Sequence, residues 1–411
     1  MQNREKFSRK SAEIVFKDIY GLVYYTISIS IIILIVLEIY DMSIRFRWKK
    51  KRIDKSRLKR TFAKPTDELL EIAERKNLKR NFKESLCKKK GWSDETAFDH
   101  HCLRIEMKQS SKNPRALLFL YDSAYIFAAT KRDLKMAVKI GAKSGRDVWF
   151  PYYPLCTEYS VNDTYDMLYE VYSKMLEEYE AEDIAFLGFG AGAALAVGVC
   201  LHNNAQPDPL PMPGLIISSS PICVPLSQKE SQKMKTLSKK DILLDASFVV
   251  KMKEFMENGE KVADYMLSAV VGNFTDFPLT HFFYGGDELL YSESSYFIRN
   301  YKKYGSKCKM HVAKGMCYCY PLMSVPEGKR ARKEIVSLLS DTESPAKPKT
   351  REKKSGKTEK TQAEEEAKTE EIETNENEAE ETKMKEIVTE ETKAEETETE
   401  EKEAEETKRE E

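Results

Sequence analysis

The sequence predicts an α/β fold, a mostly parallel β-sheet with helices on both faces and a helical cap. Short, continuous apolar runs recur through the middle of the 411-residue chain, as expected of strands that are buried on both sides. Longer stretches with helical periodicity separate these runs, and such alternation is typical of a parallel sheet covered on both faces. The two ends of the chain differ sharply from this middle part in composition, so we take the elements in order.

An apolar run from Ile19 to Leu37 carries no charged residue, and its length is close to what crosses a hydrocarbon core as a helix, about 20 residues. Tyrosines lie near its ends, where amphipathic rings favour the membrane interface. A cleaved signal peptide would have a shorter apolar core and a small-residue cleavage site, which Glu38–Asp41 does not provide. We therefore expect a short N-terminal segment, 1–18, and one transmembrane helix, 19–40, with a buried core helix as the alternative.

Residues 41–64 form a basic juxtamembrane segment. Between Ile44 and Lys64, about 11 Lys or Arg residues stand against a single acidic residue, Asp54. Because positive charge resists translocation, we expect a single-pass protein with most of the chain in the cytosol, on an endomembrane such as the endoplasmic reticulum. Two glycosylation triplets, which begin at Asn162 and Asn273, keep a lumenal orientation open.

The region 65–340 is predicted to be one domain. Lys-rich residues 228–270 interrupt its alternation of strands and helices and, with residues 65–100, are predicted to form the cap. The predicted strands are Leu103–Met107, Ala116–Tyr121, Val148–Pro151, Ile184–Leu187, Leu215–Ser218, His281–Tyr284 and Met310–Val312. The predicted helices include Leu134–Ala142, Tyr165–Tyr179 and Ser292–Lys303.

Residues 341–411 are predicted to be a disordered or transiently helical tail. Within them, residues 361–411 contain about 23 Glu and about 7 Lys or Arg, a net charge of roughly −16, and almost no large apolar side chains. Such a composition cannot bury enough surface to offset its conformational entropy. The tail is expected to act as a solvating spacer or as an acidic arm that binds a protein partner.

The stretch from Ile184 to Cys200 reads as an apolar strand, a glycine-rich turn and a helix of small residues. This is the context in which the motif G-x-S-x-G presents a catalytic serine. Here the run is Gly188-Phe-Gly-Ala-Gly, and Gly190 stands at the place of the serine. Because that turn strains a residue with a side chain, glycine is the relaxed choice once attack is no longer needed.

Six motifs occur in the order in which a known enzyme family carries them. They are Leu117–Tyr125, Phe150–Tyr159, Gly188–Ala193, Leu267–Pro278, Tyr284–Leu289 and Lys314–Tyr318. They look like the family's His-Gly-Gly-Gly-Tyr strand end, Pro-Asp-Tyr-Arg-Leu-Ala-Pro-Glu-Tyr segment, Gly-Asp-Ser-Ala-Gly-Gly elbow, Ser-Pro…Leu-Pro-Pro approach, Gly-x-x-Asp-x-Leu acid loop and Glu-Gly-Met-Pro-His base loop. Residues 110–340 thus resemble the hormone-sensitive-lipase branch of the α/β-hydrolase fold, which includes membrane-anchored arylacetamide-deacetylase and steryl-acetyl-hydrolase types.

The resemblance implies a catalytic triad, and this chain departs from it at two of three positions. The nucleophile position is Gly190, and the base position is Tyr318, whose ordinary pKa near 10 makes it a poor proton acceptor at neutral pH. Only the acid position is kept, by Asp287. An orienting carboxylate without an imidazole cannot activate a nucleophile, so no catalytic residue is expected here.

The resemblance also implies an oxyanion hole made by glycine-rich backbone, and that hole is altered. Asp122, Ser123 and Ala124 stand where the family has glycines, and a carboxylate would repel an oxyanion. The N–H group of Ala191 is expected to remain as one donor. A single donor is too little, because the loss of one already costs about 10²–10³ in rate.

These residues predict a membrane-anchored, catalytically inactive α/β-hydrolase-like protein. It would bind a small apolar ligand in a pocket lined by Tyr121, Tyr125, Phe189 and Tyr320, or it would act as a scaffold. An active carboxylic ester or lipid hydrolase, or a deacetylase, with a rebuilt site is the alternative. Membrane lipid is the expected partner, and no cofactor, metal site or nucleic-acid partner is expected.

Overall fold

The structure is a computed structural model that describes residues 42–55, 58–107 and 114–340. The predicted N-terminal segment, the predicted transmembrane helix 19–40 and the predicted tail 341–411 lie outside the described residues. Within the part of the chain that is described, no helix combines the length and the hydropathy that crossing a bilayer requires.

One eight-stranded sheet organises the described residues, with the strand order β1-β2-β4-β3-β5-β6-β7-β8. The pairs β1–β2 and β2–β4 are antiparallel, and the remaining pairs are parallel. The strands are β1 (Trp92–Asp94), β2 (Cys102–Ile105), β3 (Ala116–Leu120), β4 (Asp147–Pro151), β5 (Ile184–Phe189), β6 (Leu215–Ser219), β7 (Thr280–Gly285) and β8 (Cys308–Ala313). The predicted, mostly parallel sheet is therefore confirmed.

Eleven α-helices accompany the sheet in the described ranges. They are α1 (Ile44–Lys55), α2 (Leu58–Phe62), α3 (Thr66–Asn77), α4 (Lys131–Ser144), α5 (Val161–Leu176), α6 (Ala191–Asn203), α7 (Gln228–Ser238), α8 (Ala246–Glu257), α9 (Asp264–Leu267), α10 (Ser294–Lys303) and α11 (Pro326–Ser340). The crossover through α4 runs one way along the sheet and the crossovers through α5 and α6 run the other way. Because such connections are right-handed, α4 lies on one face of the sheet and α5 and α6 lie on the opposite face.

All seven predicted strands are present, and the three predicted helices fall on α4, α5 and α10. The cap prediction is wrong at one place, because residues 92–94 belong to the sheet. They form the edge strand β1, which pairs with β2 from Trp92 opposite Ile105 to Asp94 opposite Leu103. A strand of three half-buried residues is too short to leave a hydrophobic pattern that the sequence could reveal.

Candidate active site

The elbow predicted around Gly190 is present between β5 and α6. Gly190 has φ +58° and ψ −118°, a conformation that strains any residue with a side chain. Its N–H group donates to the carbonyl of Ser219 at 2.9 Å, which ties the turn to the end of β6. A Cβ atom on Gly192 would collide with the backbone carbonyl of Leu120, so strand and helix pack closely only because that residue is glycine.

The space beside Gly190 is already filled by two other side chains. A Cβ atom built on Gly190 would lie closer than 3.0 Å both to the hydroxyl of Tyr318 and to the carboxylate of Asp122. Tyr318 comes from the loop after β8, and Asp122 comes from the loop after β3. The position at which a hydrolase of this fold carries its nucleophile therefore has neither a side chain nor room for one.

The carboxylate of Asp122 occupies the place of the predicted oxyanion hole. Its Oδ1 accepts from the N–H of Ala124 at 3.3 Å and from the N–H of Ala191 at 3.4 Å. These are the two backbone groups that would have to point at a developing oxyanion. The donor expected to remain free, Ala191, is thus engaged by an anion that belongs to the chain itself.

Burial has the largest effect on the pKa values of both Asp122 and Tyr318. It raises the pKa of Asp122 to about 6, against the opposing effects of the Tyr318 hydroxyl and of the Ala124 and Ala191 N–H groups. Burial and the neighbouring charge of Asp122 raise the pKa of Tyr318 well above its ordinary value. Tyr318 therefore stays protonated, so it cannot take the part of the family's imidazole as a general base.

The loop after β3 keeps the shape of a glycine-rich loop without its glycines. Ala124 (φ +46°) and Tyr125 (φ +62°) both lie in the left-handed region, where a residue with a side chain costs about 1–3 kcal/mol. The Ser123 hydroxyl holds this turn by accepting from the N–H of Tyr125 at 2.9 Å. The Ser123 carbonyl also accepts from the N–H groups of Ile126 and Phe127. Ser123 is thus a turn-forming residue here.

Asp287, the one triad position that the sequence retains, pairs with a lysine of α1. Its Oδ2 pairs with Lys50 Nζ of α1 at 3.2 Å, and both side chains are about one-third exposed. Its backbone N–H donates to the carbonyl of Met316 at 2.9 Å. No hydrogen bond joins Asp287 to Tyr318 in the described part of the chain, so the expected acid–base pairing is replaced by contact of Tyr318 with Asp122.

A buried carboxyl that the sequence did not single out lies next to Asp287. Glu288 is 1% exposed, and its Oε2 accepts from the Ser220 hydroxyl at 2.9 Å and from the N–H of Gly285 at 3.0 Å. The Ser220 oxygen in turn accepts from the N–H of Cys319, at 3.0 Å. Glu288 and Ser220 thereby fix the loop that carries Tyr318, and no spacing in the sequence marks this pair.

The apolar pocket predicted at this end of the sheet is closed. Its expected lining residues are at most 5% exposed: Tyr121, Tyr125, Phe189 and Tyr320. Of these, Tyr320 also lines an open cavity of about 420 Å³ beside β8 and α11. The ring of Tyr121 stacks on Tyr153 with centroids 4.6 Å apart, and the ring of Phe189 packs on Phe119 at 5.8 Å. Aromatic packing between neighbouring strands fills the volume that a ligand would need.

We call the carboxyl edge of the sheet around Gly190 the crest. Other potential nucleophiles near the crest are buried and already engaged. Burial raises the pKa of the Cys317 and Cys319 thiols, which disfavours the reactive thiolate. The hydroxyl of Ser218 donates to the carbonyl of Ala193 at 3.0 Å, and that of Ser220 donates to Glu288. Among the described residues, no group of three or more His, Cys, Asp or Glu is placed to hold a metal ion.

Comparison with known proteins shows that several esterases resemble this chain in sequence or in fold. A curated esterase from Acinetobacter venetianus is 21% identical over 239 residues, which cover 57% of this chain and 78% of the relative. A putative esterase from Staphylococcus aureus aligns with a TM-score of 0.58 at 20% identity and covers 67% of this chain and 92% of its own. An esterase from the bacterial hormone-sensitive lipase family aligns with a TM-score of 0.56 at 18% identity and covers 71% and 97%.

The family model for the alpha/beta hydrolase fold matches residues 117–322, half of the chain. The matched range begins in β3 and ends just past the loop that carries Tyr318, so it contains the elbow and all three triad positions. Together with the elbow between β5 and α6, this match confirms the resemblance drawn from the six motifs. The chain belongs to the α/β-hydrolase fold family.

Proposed function

We propose that this protein is a membrane-anchored member of its family that has lost ester hydrolysis and acts as a scaffold. One observation carries the proposal: the Asp122 carboxylate and the Tyr318 hydroxyl fill the space at Gly190. Acyl transfer by this fold needs an oxygen or sulfur nucleophile at that point and free donors for the oxyanion. Here the nucleophile is missing and the donors are bound to Asp122.

Scaffolding is favoured over ligand binding at the crest, because rings expected to line a pocket are packed against other aromatic side chains. A small apolar guest would have to displace Tyr121 from its stack with Tyr153 or Phe189 from Phe119. The anchor 19–40 would contact membrane lipid and hold the domain in the cytosol, and the acidic tail would recruit basic protein partners. The anchor, the cytosolic location and the partners of the tail are proposed from the amino-acid composition of those segments.

An active hydrolase with a rebuilt site is the second candidate, and the relatives favour it, since those described above are named esterases. Such an enzyme would need a nucleophile outside the elbow. The nearest hydroxyls and thiols are buried, and they carry raised pKa values or hydrogen bonds to neighbours. Any rebuilt site would therefore require the loops after β3 and β8 to open.

Ester turnover by the full-length chain tests the two candidates against each other. We expect short-chain p-nitrophenyl esters to be hydrolysed no faster than the buffer rate. The matched control is Gly190→Ser with Asp122→Gly and Tyr318→His, which supplies a nucleophile, a base and a free oxyanion hole. The pair Gly190→Ser, Tyr318→His alone is expected to stay inactive, because Asp122 still occupies the hole. Saturable turnover by the wild-type chain would refute the proposal.

Scaffolding has its own test, a comparison of the proteins captured with each variant in cells. Deletion of residues 345–411 is expected to remove most captured partners, whereas Ala191→Trp, which disturbs the crest, is expected to keep them. Loss of partners in Ala191→Trp, with the protein still folded by circular dichroism, would instead assign the interaction to the crest.

A further inference from the structure

Helix α1 packs on the domain by one side only. Phe46, Lys50 and Ile53 recur at helical spacing and share that side. Phe46 is fully buried, Lys50 pairs with Asp287 at 3.2 Å, and Ile53 is partly buried. Just before the helix, the Ser43 hydroxyl donates to Glu327 at 3.0 Å. These contacts fix which side of the helix faces away from the protein.

The outward side of α1 is apolar and aromatic at its centre. Trp48 lies two positions after Phe46, about 200° around the helix, and is 73% exposed. Ile44 lies one turn earlier on the same side and is 48% exposed. An open cavity of about 730 Å³ adjoins them and is also lined by Met42 and Ile242. The exposed apolar surface is thus continuous, and such a surface marks an interaction site.

Basic side chains surround this apolar centre. The helix sequence IRFRWKKKRIDK has seven Lys or Arg residues and a single acidic residue, Asp54. Arg45 and Arg47 lie in the first turn, which holds no acidic side chain. Positive charge at that end opposes the helix dipole, and the carboxylate of Glu327 at Ser43 offsets part of this effect. A tryptophan within a ring of basic residues is the composition that favours the interface of an anionic bilayer.

We propose that α1 docks the folded domain onto a membrane surface of anionic phospholipids. Trp48 and Ile44 enter the interface, and the surrounding Arg and Lys side chains contact the lipid phosphates. The inference rests on the membrane anchor of the proposed function and adds the lipid class and the orientation. Three residues separate position 40, the end of the proposed anchor, from Ile44, so the two positions are at most about 14 Å apart.

Docking through α1 would also orient the closed crest. Lys50 contacts Asp287 in the loop after β7, and Met42 lies against Gly315 in the loop after β8. Both loops are at the carboxyl edge of the sheet, where Gly190 lies. The edge that relatives use for catalysis would then face the lipid, and the amino edge of the sheet would face the cytosol.

The test uses the full-length chain in nanodiscs made with brominated phosphatidylcholine, with or without 30% phosphatidylserine. The quenching of tryptophan fluorescence is compared between wild type and Trp48→Phe, and the difference isolates Trp48. We expect the Trp48 contribution to be quenched at least about twofold more in anionic discs, and to lose that excess at high salt. Co-purification of the chain with phosphatidylcholine discs shows separately whether the anchor is inserted in the bilayer.

Two charge variants sharpen this measurement. Replacing Arg45, Arg47 and Lys49 by Gln is expected to abolish the excess quenching. The matched control replaces Lys135, Lys139 and Lys143 by Gln, three exposed positions on α4, and is expected to leave it unchanged. Equal quenching in both lipids, or a Trp48 signal that responds to an RNA oligonucleotide and not to anionic discs, would overturn the proposal.

Discussion

Gly190, Asp122 and Tyr318 depend on one another for space. Glycine at 190 leaves a gap at the elbow, and the two side chains from neighbouring loops enter it. A protein that has merely lost its serine would need one substitution to recover a nucleophile. In this protein the carboxylate has also taken up the donors of the oxyanion hole, so, on the proposed loss of ester hydrolysis, recovery would need at least three substitutions.

We expect Gly190→Ser to lower the free energy of unfolding by about 2–4 kcal/mol, because backbone strain and overpacking act together. Gly305→Ser is the matched control, since Gly305 also has positive φ (+75°) but has no atom within 4 Å of the added Cβ. The Gly305→Ser variant should therefore lose only the free energy that backbone strain costs. Chemical denaturation measures both, and adding Asp122→Gly to Gly190→Ser should restore part of the loss. Equal losses in the two serine variants would contradict crowding at Gly190.

Asp122 should make stability depend on pH. Its pKa in the folded chain is about 6, above the ordinary 3.8. The folded state therefore holds this proton more tightly than the unfolded state, so the contribution of Asp122 to stability is greatest below pH 4 and is lost as pH rises through 6. The loss amounts to about 3 kcal/mol at most.

The variant Asp122→Asn removes this titration and keeps the shape of the side chain. We expect its free energy of unfolding, relative to wild type, to rise between pH 4 and pH 7, as measured by denaturant unfolding at each pH. A difference that stays constant over this range would mean that the carboxyl group is not held in a buried, desolvated position.

At the scale of elements, α1 is held on the domain by packing more than by charge. The Lys50–Asp287 pair is about one-third exposed on both sides, and such pairs contribute about 0–1 kcal/mol. Phe46 is fully buried, and truncation of such a ring costs about 3–5 kcal/mol. The ring therefore decides whether the helix stays in place.

We expect Phe46→Ala to release α1, seen as faster amide hydrogen exchange across residues 44–55 by at least about tenfold, since each 1.4 kcal/mol is a factor of ten. Lys50→Met should change the exchange less than that. Trp48→Ala, at an exposed position, serves as the control and should leave it unchanged. Slow exchange in Phe46→Ala would show that other contacts hold the helix.

How far the sequence predicts these elements depends on how they are stabilised. Strands β3 to β7 are apolar runs that are buried on both faces, and β2 is nearly so, so hydrophobic patterning alone locates them. The edge strand β8 is only half-buried. β1 has three half-buried residues and forms only because β2 offers it a partner. Helix α1 was not foreseen within the basic segment, because its charges oppose helix formation locally and Phe46 stabilises it through tertiary packing.

The same limit applies to the site. Motif order places Gly190, Asp287 and Tyr318 correctly along the chain, because the family fixes the loops that carry them. It does not say where their side chains point. Asp122 turns into the oxyanion hole and Asp287 turns out to Lys50, and both orientations depend on atoms from other loops. Neither orientation has a signature in local sequence.

At the scale of the whole molecule, the chain has the α/β-hydrolase fold, but side chains fill the space at its crest. The loops after β3, β5 and β8 meet at one point, as they must for catalysis in this family. In this chain they meet through the buried Tyr318 and the partly buried Asp122, which both occupy the space beside Gly190. In the proposed scaffold, the sheet would hold helix α1 in place and would carry the attachment points of the proposed anchor and of the acidic tail.

The most direct test of the central claim is the intact mass of the full-length chain after incubation with a fluorophosphonate, which forms a covalent adduct with an activated serine. The account predicts an unchanged mass under conditions in which a related esterase is fully labelled. An adduct of one probe per chain, mapped by peptide sequencing to any side chain near Gly190, would contradict it.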